Sequence, residues 1–229
     1  MSPLVYRICT LLSQVLVRVP LGTNLGLLHL LFALLCGRFL ETRGAVFPAL
    51  SSLRLPDDAV RRSEAALCYG RWAAADLLAG WRQAVAQEGR FLPCEYEGIR
   101  PVACDLSAFF RPHLRGLDGK PLDSRHYVSN AGKALPAVVL GLCAGVGYVG
   151  QTRLGLPRLV LRRTQGEREA DLQQRLVTQA AQTLAPDEAL VVDAGFGLAD
   201  LLNVEGLRFV ARARSNVTAR RCVPLAYKD

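Results

Sequence analysis

The sequence predicts an α/β protein: an all-α amino-terminal region, residues 1–96, followed by a mixed-sheet region, residues 97–229. Three observations carry this. Apolar residues in the first part recur at helical spacing, as in Leu67, Trp72, Leu77, Leu78, Trp81 and Val85. From about residue 97 the texture changes to short apolar runs bounded by Gly and Pro. A single helical-period segment, 164–184, then separates three such runs from two more.

The chain has 229 residues, 51% of them hydrophobic, so a sizeable core is within reach and wholesale disorder is excluded. The net charge is +8, and only Lys120, Lys133 and Lys228 among the 28 cationic residues are lysines. Arginine grips phosphate with a planar fork, which suits nucleic acid. A GC-rich genome would produce the same bias. The seven cysteines are odd in number, form no C-x-x-C and lie mostly in apolar surroundings, which predicts reduced, buried thiols and not zinc or disulfides. The densest apolar stretch, 25–36, falls short of the roughly 20 residues a bilayer requires, so a buried helix is expected and no membrane partner.

In order, a first helix is expected over 3–19 and a second over 25–36, separated by Pro20, Gly22 and Gly26. Asp57 and Asp58 start a helix after Pro56, where the helix dipole favours acids, and a second helix runs on to Gly89. This pair is either a module gripping DNA ends through its arginines or an ordinary amphipathic pair with a solvated basic face. Strands are expected at 101–110, 135–149 and 156–162, with a polar connection over 111–129. Thr164-x-x-Glu167 reads as a capping box before the helix with Leu172, Leu176, Val177, Ala180 and Leu184. A strand at 189–193, a short helix at 198–203 and a strand at 207–213 complete the order.

Two strands end at, or pass, an aspartate: PVACDLSAFF at Asp105 and ALVVDAGFG at Asp193. Three strands, a crossing helix and a fourth strand is the order of an RNase H-like core, in which the first and fourth strands lie side by side. Asp105 and Asp193 are then expected to face one another. Carboxylates held that close raise each other's pKa, and a divalent cation removes the conflict. Hard oxygen ligands suit Mg²⁺ or Mn²⁺. The bland alternative is that strand ends carry Asp as turn formers.

The run VVDAGFGLADLL followed by GLRFVARARSN resembles the second-aspartate region of DDE-type insertion-sequence transposases. Asp193, Gly195, Phe196, Arg212, Arg214 and Asn216 fall on that pattern, and PVACDLSAFFRP, with Asp105 and Ser107, resembles the first-aspartate strand. The resemblance covers roughly residues 97–221. It implies an incomplete RNase H-like sheet, catalytic and metal-binding Asp105 and Asp193, Mg²⁺ or Mn²⁺ as cofactor, transposon-end DNA as partner and a bacterial, nucleoid-associated cytoplasmic location. It also implies a homodimer or a complex with a full-length transposase. The family requires a third acid, a Glu on a helix beyond the last strand. Glu205 and Asp200 precede that strand, so the expectation is a chain lacking strand-transfer activity alone.

Arg208, Arg212 and Arg214 share strand parity and are expected to present one face to DNA, with Asn216 beyond them. A solvated edge that deters strand pairing is the alternative. GVGYVG matches G-x-G-x-x-G, but Gly155 and Pro157 forbid the helix a dinucleotide site needs. His113 and His126 read as turn residues. The rival functions are a non-catalytic DNA-binding remnant that inhibits a full-length transposase, and an α/β binding domain unrelated to DNA.

Overall fold

A computed structural model describes residues 3–20, 22–42, 44–110, 125–128 and 132–212. The chain is mixed α/β. Helices α1 (Pro3–Leu16), α2 (Thr23–Leu35), α3 (Arg38–Glu41), α4 (Val46–Ser51), α5 (Asp57–Tyr69) and α6 (Ala74–Glu88) come first. Their apolar stripes meet in one cluster that includes Leu16, Leu27, Leu30, Leu50 and Val60. Asp57 and Asp58 do open α5 behind Pro56, and Gly89 closes α6 with φ +64°. At Gly80 a Cβ would lie 2.4 Å from the Val15 carbonyl oxygen, so α1 and α6 cross in close contact.

Two features of this region differ from the sequence expectation. Helices α3 and α4 fill a stretch with no clear period, because each is too short to show one. The helices also end at Glu88, and strand β1 (Phe91–Pro93) lies inside the stretch expected to be all-α. It pairs antiparallel with Val149–Gly147 of the sheet.

Strand β4 (Lys133–Val149) organises the sheet. Its 17 residues alternate buried and half-buried along most of its length, the mark of a strand with one packed face. Strand β2 (Arg100–Phe110) pairs antiparallel along one edge of β4, and β5 (Thr152–Arg162) along the other. The short β3 (Arg125–Val128) adds to the start of β4, within the stretch expected to be a connection. A bulge in the β4–β5 ladder at Cys143/Ala144 accommodates Pro157, which has no N–H for a regular pairing.

Beyond β5, helix α7 (Glu169–Ala181) crosses to β6 (Glu188–Val192), and α8 (Leu198–Leu202) leads to β7 (Phe209–Ala211). β6 lies parallel to β2, and β7 parallel to β6. The order across the sheet is β5–β4–β2–β6–β7, with β1 and β3 also joined to β4. Leu176, Val177 and Ala180 of α7 pack on Val102, Cys104, Cys143, Leu190 and Val192, which share one face. Thr164 and Glu167 do hydrogen-bond, 2.7 Å from backbone N–H to carboxylate, but they close a turn and do not start the helix. The cap is one turn later: Asp171 accepts from the Arg168 backbone N–H at 3.1 Å.

The cysteine expectation needs correction. Cys104 of β2 and Cys143 of β4 stand directly opposite, with Cα atoms 4.3 Å apart, and form a disulfide. Residues at non-hydrogen-bonded antiparallel positions approach this closely, and the pairing depends on register across the sheet, which spacing along the chain does not reveal. Cys9, Cys36, Cys68 and Cys94 are free thiols. Among the described residues no helix is long and apolar enough to cross a membrane.

Candidate functional site

Parallel pairing of β2 with β6 runs from Arg100–Glu188 to Cys104–Val192. Asp105 is the next residue of β2, and Asp193 directly follows the end of β6. On β7, Ala211 pairs with Val192, and Arg212 follows. The Arg212 N–H continues this contact, donating to the Val192 carbonyl at 3.1 Å. Asp105, Asp193 and Arg212 are therefore each one residue past the paired row Cys104–Val192–Ala211 of three neighbouring parallel strands.

Alternation separates the acids from the core. Cys104 and Val192 point toward α7 and are buried, whereas Asp105 and Asp193 are exposed. The Asp105 carboxylate accepts from the Leu106 N–H at 2.8 Å. The Asp193 carboxylate lies 3.8 Å from the Arg212 guanidinium. Among the described residues no three His, Cys, Asp or Glu side chains converge as a metal cage. Two water-exposed carboxylates, each one residue past the paired Cys104 and Val192, are hard oxygen donors of the kind that suits a cation retaining most of its waters, as Mg²⁺ and Mn²⁺ do.

The turn after Asp193 is held from two sides. Phe196 is buried in the α7 cluster. Gln173 of α7 donates to the Gly195 carbonyl at 3.2 Å. A Phe in a glycine-rich turn signals such an anchor in the sequence; the Gln173 contact has no sequence signal.

Arg208 is exposed at the start of β7 and donates to the backbone carbonyls of Ala185 and Pro186. Arg208 and Arg212 flank β7 on either side. Arg214 and Asn216 lie outside the described residues, as does His113. His126 is corrected from turn to strand: it sits on β3, with Nδ1 2.8 Å from the Glu169 carboxylate. The GVGYVG glycines lie in β4 and the turn after it, and no helix follows. A Cβ on Gly147 would lie 2.4 Å from the Phe91 ring, so this glycine admits β1.

At the opposite end of β6, Glu188 is buried yet charged. Arg158 grips it at 2.5 and 2.7 Å, and Arg100 lies 3.5 Å away. Hydrogen bonding from Arg158 holds the Glu188 carboxyl below its ordinary range, against the opposing effect of burial. Arg100 makes a two-pronged bond to Asp187 at 2.7 and 2.8 Å. This network ties β2, β5 and β6 together where the sequence shows only acids at a strand start.

In comparison with known proteins, no family model and no curated protein matches the chain.

Proposed function

We propose that the sheet is an RNase H-like core of the DDE transposase type and that Asp105 and Asp193 act on DNA phosphodiesters with a divalent metal. The observation that carries this is the β2–β6 register, which ends one residue before each acid. Strand order supports it: two antiparallel pairings, a crossing helix, then two parallel strands. Arg212 and Arg208 on the same face add cationic contacts for a DNA backbone.

A metal bound between the carboxylates would polarise a phosphoryl oxygen and supply an activated water. The chain's own residues have simpler tasks. Asp105 and Asp193 hold the cation. Gln173 and Phe196 keep the turn beyond Asp193 in place. Arg212 attracts phosphate while screening Asp193.

A second reading is favoured by the lack, among the described residues, of a third acid at this site. It is a DNA-binding protein that occupies transposon ends, pairs with a complete transposase and inhibits it, with no cleavage of its own. Both readings require DNA affinity that falls steeply with salt, as counterion release dictates. The test is a cleavage and strand-transfer assay with transposon-end DNA and Mn²⁺, run beside a salt titration of binding. Salt-dependent binding without cleavage is expected for the chain alone. Cleavage abolished by Asp193→Asn would show that the two acids suffice. Weak, salt-insensitive binding would remove DNA from the account and leave an α/β binding domain.

A further inference from the structure

The sheet face opposite α7 bears a cavity of about 560 Å³, within the range of roughly 300–1,000 Å³ typical of small-ligand sites. Among the described residues its lining comes from strands, the turn at Tyr96–Ile99 and Arg208 just before β7, with no helix residue among them. The floor is aliphatic, including Ala103, Val146, Ala189 and Val191. Ala103 and Val191 are paired across β2 and β6. They precede Asp105 and Asp193 by two residues each, a step of about 7 Å along a strand. The cavity thus lies on the same face as the acids, immediately before them.

Its charged lining is of one sign. Arg153 and Arg208 border it, and among the described residues no acid does. Arg153 has its guanidinium 3.4 Å from the Tyr96 hydroxyl, and Tyr96 itself is exposed. Arg208 uses one Nη on backbone carbonyls and its charge acts on nearby Asp187; among the described residues its Nε and other Nη make no hydrogen bond and can meet an anion. A flat apolar body resting on the sheet beside Tyr96, with an anionic group on the arginines, satisfies both halves of the lining.

We infer that this cavity receives one unpaired nucleotide of the DNA strand bound at Asp105 and Asp193. Its base lies over the Ala103–Val191 floor with one face against the Tyr96 ring, and the phosphates on its two sides meet Arg153 at one edge of the cavity and Arg208 at the other. The inference rests on the DNA reading above and adds a preference for single-stranded or frayed ends. Stacking and apolar contact with a base tolerate any sequence, so the pocket selects strandedness and not sequence.

The test uses the full chain and a short single-stranded oligodeoxynucleotide carrying 2-aminopurine, whose fluorescence falls on stacking. A fluorescein-labelled duplex, followed by anisotropy, reports binding outside the cavity. Saturable quenching at one oligonucleotide per chain is expected. It should weaken about tenfold in Ala103→Trp, which fills the cavity, and to a similar extent in the double variant Arg153→Gln/Arg208→Gln. Duplex binding should survive Ala103→Trp. Unchanged far-ultraviolet circular dichroism guards against misfolding, and the arginine variant, which leaves the floor intact, gives an independent reading. Quenching that is absent, or equal in parent and variants, while duplex binding persists would overturn the pocket and leave the DNA reading standing. Self-association lost in Ala103→Trp, without quenching in the parent, would assign the cavity to a second copy of the chain and overturn the inference. Failure to bind either DNA would overturn both.

Discussion

The Asp193 carboxylate lies 3.8 Å from the Arg212 guanidinium, at the ends of neighbouring parallel strands. Both side chains are largely in water, with 63% and 80% of their surface exposed. Such a pair contributes about 0.2–1 kcal/mol. A cation at Asp193 must compete with that positive neighbour. Arg212→Gln is therefore expected to tighten Mn²⁺ binding by up to about fivefold and to weaken DNA binding. Titration calorimetry with Mn²⁺, with and without DNA, checks both directions. Weaker Mn²⁺ binding in the variant would contradict this account.

Replacing the acids should separate binding from stability. Asp105→Asn and Asp193→Asn each remove one oxygen donor's charge from an exposed position. Folding stability should stay within about 0.5 kcal/mol of the parent, while Mn²⁺ affinity falls at least about tenfold. Urea unfolding and metal titration of the same samples decide it. Equal Mn²⁺ affinity in parent and both variants would mean that the acids hold no cation.

Glu188 should behave in the opposite way. It is 2% exposed and gripped by Arg158. Glu188→Ala leaves that guanidinium without its partner and should cost about 3 kcal/mol. The pH dependence follows from the lowered pKa. The folded carboxyl titrates below its ordinary value of 4.5, so it contributes stability in full above that value. The contribution fades as pH falls through the folded pKa. The gap between parent and Glu188→Gln should accordingly be widest near neutrality and close in acid. Urea midpoints at pH 7 and pH 3.5 measure it.

The Cys104–Cys143 bridge closes a loop of moderate length, with a sequence separation of 39. Reduction should lower stability by about 3–4 kcal/mol. Thermal melts with and without a phosphine reductant test this, and intact mass shows whether the two hydrogens are gained. A melt indifferent to complete reduction would leave the bridge without a structural role.

Gly147→Ala probes the attachment of β1. The added carbon would lie 2.4 Å from the Phe91 ring and 2.6 Å from the Leu92 carbonyl oxygen. Overpacking of this kind costs about 1–3 kcal/mol. Hydrogen exchange should rise at Cys94, whose N–H bonds the Val146 carbonyl, and stay unchanged in β6.

Much of this architecture was legible along the chain because its signals are local. Asp105 and Asp193 stand out as polar residues in or after Val- and Leu-rich runs, and α5 announces itself through Pro56, Asp57 and Asp58. The features that escaped depend on partners distant in sequence. Cys104 needs the β2–β4 register to find Cys143, and Glu188 needs Arg158 from another strand to remain charged in the interior. Phe91–Pro93 is too short to alternate visibly and is a strand only because Gly147 makes room for it. Thr164 and Glu167 have the right spacing for a helix start, yet Gly166 lies between them at φ +79° and turns the chain first.

The β2–β6 pairing has a consequence for the order of assembly. β2, β4 and β5 are antiparallel neighbours at shorter sequence separation and can close on one another early. β6 reaches β2 only after α7 has crossed, and its contacts span some of the longest separations in the chain, as between Arg100 and Asp187. Pairings of such high contact order form late. Asp105 and Asp193 come onto neighbouring strands only when β6 docks, so a folding intermediate that lacks this strand would lack the proposed cation site. Mn²⁺ uptake during refolding would then serve as a clock for the final step.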